Sequence, residues 1–139
     1  MRNRSIYLCG PMEHVSVESA TGWRNEFMEK FTNHPEVSFL DPCRRIHGFD
    51  VKEMKRIFEL DMRDLNECDL VVANLEGMDK VPRHGTAMEV FYTAYVLKKP
   101  VIAFRSTIPG IHPFFESLVT EWRSTHLKAA ETIIDHYLN

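Results

Sequence analysis

Hydrophobic positions in this chain fall into two kinds of run. Residues 5–9, 37–40, 70–75 and 100–104 are short apolar stretches, each closed by a turn-former or a polar loop. They read as buried strands, the most strongly β-branched being Leu-Val-Val-Ala-Asn-Leu. Between them lie longer stretches with apolar residues at steps of three and four. The first is capped by Ser16, runs to about residue 33 and sets Ala20, Trp23, Phe27 and Phe31 on one face. A second helix is predicted over residues 51–67 and a third over 85–97. A fourth opens at Pro113, and a fifth covers residues 125–138, with Leu127, Ala130, Ile133, Ile134 and Tyr137 at helical spacing. A short fifth strand is weakly signalled at residues 121–123.

This alternation predicts an α/β fold, doubly wound in the flavodoxin-like or Rossmann-like manner. A mostly parallel sheet of four or five strands carries helices on both faces, in a single domain over residues 1–139. Ligands in such sheets bind beyond the carboxyl ends of the strands. The loops at Gly10-Pro11, Asp41-Pro42, residues 76–84 and residues 105–112 should therefore share one rim.

Two carboxylates break the apolar pattern. The third helix is apolar on almost every side, and Glu89 is its only charged residue. Burying a carboxylate is costly unless something nearby needs it. Placed in the first turn, Glu89 would feel the positive end of the helix dipole, which favours the ionised form and suits a nucleophile. The alternative is a buried ion pair with Arg24 or Arg105. The second helix has an inner stripe of Met54, Phe58, Asp61, Leu65 and Cys68. Asp61 thus points at the core, either for chemistry or to accept backbone hydrogen bonds. Its other charges (Lys52, Glu53, Lys55, Arg56, Glu59, Arg63, Asp64 and Glu67) read mostly as a solvated face. One nucleophilic carboxylate and one acid–base carboxylate are what glycosidic-bond cleavage needs.

Composition narrows the classes. The chain is 44% hydrophobic and 27% charged, an ordinary globular mix. A net charge of −3 gives no basic footprint for nucleic acid. The first apolar run ends at Gly10-Pro11, too short for a signal peptide or a membrane span. Cys9, Cys43 and Cys68 lack paired spacing, so reduced thiols and a cytoplasmic location are expected. Scattered histidines, with no Gly-rich dinucleotide fingerprint or Walker loop, imply no metal and no organic cofactor.

Three motifs in order carry a family resemblance: Ile6-Tyr7-Leu8-Cys9-Gly10-Pro11; Leu60-Asp61 upstream of Cys68-Asp69-Leu70-Val71-Val72-Ala73; and Gly85-Thr86-Ala87-Met88-Glu89 with Ala94. From residue 5 to about 105 the chain resembles the nucleoside 2-deoxyribosyltransferase family, which includes the 2′-deoxynucleoside 5′-monophosphate N-glycosidases. The resemblance implies that Glu89 attacks the anomeric carbon, that Asp61 assists departure of the base by proton transfer, and that Tyr7 orients the Glu89 carboxylate. Tyr7 on its own reads equally well as core packing with a satisfied hydroxyl. Asp69 matches a structural position of the family.

Departures from the family pattern bear on the substrate. Six residues before Glu89, the transferases tend to carry an aspartate for the sugar 5′-hydroxyl and the hydrolases a small polar residue for the 5′-phosphate. Here stands Arg83, followed by His84. An arginine cannot accept a hydrogen bond but suits phosphate. With the Gly85 and Thr86 amides at a helix start it forms a credible anion site. The other reading of Arg83 is a solvated loop charge. Against the phosphate reading, Glu13 and His14 occupy the first loop, where the hydrolases place phosphate contacts. Gly10, Met12, His14 and the loop Arg44-Arg45-Ile46-His47 are expected around the sugar and base, with polar groups reading the base. The resemblance also implies a homo-oligomer whose neighbouring subunit completes the site. Pro113 falls where a polar residue is expected there, so His112 or Ser117 is the substitute. The leading reading is an N-glycosidase acting on a (2′-deoxy)nucleoside 5′-monophosphate. The others are a deoxyribosyltransferase, a nucleotide-binding or sensing module without turnover, and a purely structural subunit, which leaves both buried carboxylates unexplained.

Overall fold

The computed structural model describes residues 3–12, 15–45, 51–81, 83–107 and 110–138. His14 lies outside these residues, as do Ile46 and His47 of the expected base loop. Five strands form: β1 (Arg4–Cys9), β2 (Val37–Leu40), β3 (Leu70–Asn74), β4 (Val101–Phe104) and β5 (Glu121–Arg123). The helices are α1 (Val17–Glu29), α2 (Val51–Glu67), α3 (His84–Phe91), α4 (Phe114–Leu118) and α5 (His126–Tyr137). A 3₁₀ turn, Pro42–Arg45, follows β2.

The sheet is parallel throughout, in the order β2-β1-β3-β4-β5. Side chains alternate across β1, and that alternation builds two cores. Ile6 and Leu8 pack with Trp23 and Phe27 of α1, with Phe31 in the turn after it, and with Ala130 and Ile133 of α5. Tyr7 and Cys9 face the opposite layer, with Leu65 of α2, Val90 of α3 and Phe115 of α4. The inner strands are buried on both faces, which is why they read as unbroken apolar runs.

The chain leaves β1 toward β2 on one side and returns to β3 on the other. The β1/β3 boundary is therefore the point where strand order reverses, and a crevice opens beyond its carboxyl ends. Gly10 lets the chain pass close to its neighbours there. A Cβ on it would lie 3.1 Å from both Asn74 Cβ and Trp23 Cζ2. Two buried arginines pin the rim. Arg24 donates to Ala20 O at 2.5 Å and to Leu8 O and Gly10 O at 3.2 Å each, and stands 3.6 Å from Asp41 Oδ1. Arg105 donates to Leu75 O at 2.9 Å and pairs with Asp79 at 3.2 Å. Both arginines proposed as ion-pair partners of Glu89 are thus engaged with other carboxylates.

Expectations change for three of the helices. α1 ends at Glu29, short of residue 33. The third helix is α-helical only to Phe91 and continues as a π-turn, Tyr92–Val96. Thr93 Oγ1 donates to Glu89 O at 2.8 Å, and Leu97 N reaches Tyr92 O at 2.9 Å, so a side-chain hydroxyl competes in the ladder where the helix widens. The same element is also less buried than its composition predicts, with Met88 and Tyr95 each 61% exposed and Phe91 and Val96 about half exposed. On α2, Phe58 leaves the inner stripe for the surface, while Asp64, assigned to the solvated face, is buried.

Candidate active site

The crevice is a cleft of about 340 Å³. Its floor is Gly10, Pro11 and Met12 after β1. One wall is Met54, Ile57, Phe58, Asp61 and Met62 of α2; the other is Arg83 with His84, Gly85, Thr86, Met88 and Glu89 of α3. A hollow of about 410 Å³ at the amino ends of the strands, lined by Arg4, Asp69, Lys98 and His136 among others, contains neither Glu89 nor Asp61. Asp69 is structural there, accepting Ser5 N at 2.8 Å.

Glu89 reaches back from α3 to β1. Tyr7 Oη donates to its Oε2 at 2.5 Å, and Cys9 Sγ to its Oε1 at 3.6 Å. Residues 7 and 9 share a face of β1, so the strand's two-residue period delivers both donors to one carboxylate. Glu89 is the sixth residue of α3, so it stands in the second turn, beyond the strongest influence of the helix terminus. The expected dipole stabilisation gives way to burial. Desolvation pushes the Glu89 pKa up to about 7, the Tyr7 and Cys9 bonds and the Arg24 charge pull it down, and the nearby Asp61 charge adds to the rise. Burial and the Glu89 charge push the Tyr7 and Cys9 pKa values well up, so both remain neutral donors.

Asp61 is 8% exposed and faces the same cleft from α2. Arg45 donates to its Oδ1 at 2.7 Å. Burial raises the Asp61 pKa, opposed by the Arg45 hydrogen bond and charge. The backbone-accepting alternative for Asp61 is therefore replaced by an ion pair.

Of the expected substrate residues, Gly10, Met12, Arg83, His84, Gly85 and Thr86 line the cleft. Arg44 does not; its guanidinium goes to Asp41 O at 2.9 Å and to Asp64 at 2.8 Å. His112 is exposed, with Nδ1 accepting Phe114 N at 3.2 Å, and Ser117 is exposed on α4; neither lines this chain's cleft. Met54, Ile57, Phe58 and Met62 were not anticipated as site residues. Met54 and Phe58 sat on a stripe read as core, and only the packing turns them to the cleft.

The sequence profile described as Nucleoside 2-deoxyribosyltransferase matches residues 6–121. The chain belongs to that family. It is an enzyme of the nucleoside 2-deoxyribosyltransferase type, and the family acts on nucleosides or nucleotides. No match was found among curated proteins. Solved structures share the fold, among them the following three. A 2-deoxyribosyltransferase from Bacillus psychrosaccharolyticus is 17% identical with TM-score 0.71, over 91% of this chain and 90% of its own. A 2-desoxiribosyltransferase from Leishmania mexicana is 20% identical with TM-score 0.72, over 97% and 99%. A conserved protein from Enterococcus faecalis V583 is 17% identical with TM-score 0.73, over 96% and 98%. Among the described residues of this family member, no helix is long and apolar enough to cross a membrane.

Proposed function

We propose that this family member cleaves the N-glycosidic bond of a (2′-deoxy)nucleoside 5′-monophosphate through a covalent glycosyl-Glu89 intermediate. The observation that carries this reading is the grouping of Glu89, Asp61 and Arg83 in one cleft, with Tyr7 bonded to Glu89. Ionised Glu89 attacks the anomeric carbon while the bond to the base breaks. The bonding pair leaves with the base, and Asp61 supplies its proton. Water then attacks the same carbon, gives its proton to Asp61 and frees Glu89, so sugar phosphate leaves with retained configuration. Arg83, at the head of α3, offers a guanidinium fork to the 5′-phosphate, with the Gly85 and Thr86 amides beside it. The base lies against Met12, Met54, Ile57, Phe58 and Met62. This wall is mostly apolar, so it reads the base by shape and stacking more than by the polar contacts expected from the loop after β2.

The test is a panel of nucleotides and nucleosides incubated with the parent protein and with Glu89→Ala, following free base by chromatography. Base release from a monophosphate by the parent alone supports the reading. Cleavage of nucleosides without cleavage of any monophosphate removes it. A second reading, transfer of deoxyribose from one base to another, is favoured by the family match itself. It predicts a new nucleoside when a second free base is added. Arg83→Asp should shift preference from monophosphate toward nucleoside about tenfold or more, since it exchanges a phosphate-binding cation for an acceptor. An unchanged preference removes phosphate recognition from Arg83.

The same reading includes a homo-oligomer. Met88, Phe91, Tyr95 and Val96 leave an apolar stripe on the outer side of the third helix, with Phe91 and Tyr95 stacked at 5.4 Å, and Met88 continues it to the cleft. Sedimentation of the parent against Phe91→Lys tests it; a monomeric parent rejects it. Three free cysteines fit a reducing, cytoplasmic setting.

A further inference from the structure

Arg45 ends the 3₁₀ turn after β2 and does not line the cleft, yet its guanidinium spans two carboxylates of α2. Nη1 donates to Asp61 Oδ1 at 2.7 Å and Nη2 to Asp64 Oδ2 at 2.5 Å. Asp61 and Asp64 are three apart, hence neighbours on one helix face. Asp64 is 2% exposed and takes a second bond from Arg44 at 2.8 Å on the same oxygen. A buried carboxylate held by two guanidinium groups is an anchor. The Arg45 fork then joins that anchor to the one α2 carboxylate that faces the cleft.

We propose that Arg45 is a positioning residue for proton transfer: anchored on Asp64, it fixes Asp61 through Oδ1 and leaves Oδ2 as the oxygen that carries the proton to the leaving base. The inference rests on the reading of Asp61 as the group that protonates the base. In that step the Oδ2 proton passes to the base nitrogen as the glycosidic bond breaks and Glu89 bonds the anomeric carbon. Asp61 is left as the carboxylate that Arg45 already neutralises, so the charge formed has a fixed counterion and no side chain has to reorganise. The charged and titratable groups facing Asp61 are Arg45 and Arg44 from the 3₁₀ turn, Asp64 from its own helix, Glu89 from α3, and Tyr7 and Cys9 from β1, with Arg83 and His84 on the opposite wall of the cleft. Arg45 supplies the nearest cation in that set, so removing it raises the Asp61 pKa.

The experiment compares the parent, Arg45→Ala, Arg45→Lys and Asp64→Asn on two substrates sharing one sugar phosphate. One carries an ordinary base; the other carries p-nitrophenolate, which leaves without protonation. Arg45→Ala should lower kcat/KM, which reports the departure of the leaving group and not the later attack of water, about 10- to 100-fold on the base and about threefold or less on the p-nitrophenyl substrate. Arg45→Lys, which keeps charge but loses the fork, and Asp64→Asn, which loses the anchor, should show the same selectivity at smaller size. Thermal melts identify any variant that fails to fold, and Arg45→Lys then carries the test. Equal losses on both substrates mean a merely structural strut and overturn the proposal. A carbon-13 carboxyl titration of Asp61 is the second readout. Its midpoint should rise by about one unit in Arg45→Ala, and an unmoved midpoint also overturns the proposal. This titration needs no turnover. If the parent cleaves no nucleotide, the functional reading falls by itself, and the titration still decides whether Arg45 governs Asp61.

Discussion

Glu89, half-buried, and Asp61, buried, are both carboxylates on inner helix faces, and the protein treats them in opposite ways. Glu89 has two neutral donors, the Tyr7 hydroxyl and the Cys9 thiol, while the buried Arg24 and Arg105 are turned to Asp41 and Asp79. Asp61 has a guanidinium at 2.7 Å. A neutral cradle leaves Glu89 with a pKa near 7, which suits the proposed nucleophile. The Arg45 guanidinium gives Asp61 a fixed orientation and a counterion, which suits the proposed proton donor. The two carboxylates differ in the charge of their neighbours.

The comparison breaks first at Glu89. Glu89→Ala should lower turnover of the best substrate at least about 10³-fold in a base-release assay, since the bond-forming atom is gone. A smaller loss would move the nucleophile elsewhere. Asp61→Asn comes next, with an expected loss of about 10²- to 10³-fold that shrinks as the leaving base becomes more acidic. Removing the Asp61 charge also lowers the Glu89 pKa, so the acid limb of kcat/KM should move to lower pH.

Stability gives the third contrast. An unfolded glutamate titrates near 4.5 and folded Glu89 near 7. Between those values the folded chain keeps a proton that the unfolded chain has released, so stability falls as pH rises through that window and stays lower above it. Glu89→Gln removes this linkage. It should be more stable than the parent by about 3 kcal/mol at pH 8 and nearly equal below pH 4, as read by urea unfolding. The smallest effect belongs to Tyr7→Phe. Loss of the hydroxyl donor disfavours the ionised carboxylate, so the acid limb should move up by about one unit. Activity then falls about tenfold at pH 6 and little at pH 9. A limb that stays in place would make Tyr7 a packing residue.

Much of this was legible before any coordinates. Short apolar runs between amphipathic ones specify a parallel sheet, because only strands buried on both faces need unbroken hydrophobicity. Even the weak fifth strand at Glu121–Arg123 forms, as the edge beside β4. The interruptions of the apolar pattern at Glu89 and Asp61 were equally visible, because burying a carboxylate is costly wherever it occurs. Tyr7 came into view only through family resemblance, since a strand tyrosine looks the same whether it packs or donates. Asp64 was misplaced because Asp61 and Asp64 lie on adjoining rows of α2. Periodicity assigns residues to faces, and it cannot say how wide the buried face is. The outward faces of Met88, Phe91 and Tyr95 escaped for a related reason, since an apolar helix reads as buried whichever partner covers it.

By itself, then, the sequence determined that a parallel α/β sheet forms, that its rim gathers four loops, and that two carboxylates interrupt the apolar pattern, because periodicity and burial cost are local properties. Tertiary structure alone decided that Glu89 also meets Cys9 and that Asp61 meets Arg45, and it supplied the Tyr7 contact that only the family resemblance had implied. Those contacts join residues 82, 80 and 16 positions apart. No helical or strand period reaches across such distances, so the neighbours that set the charge around each carboxylate are decided by packing.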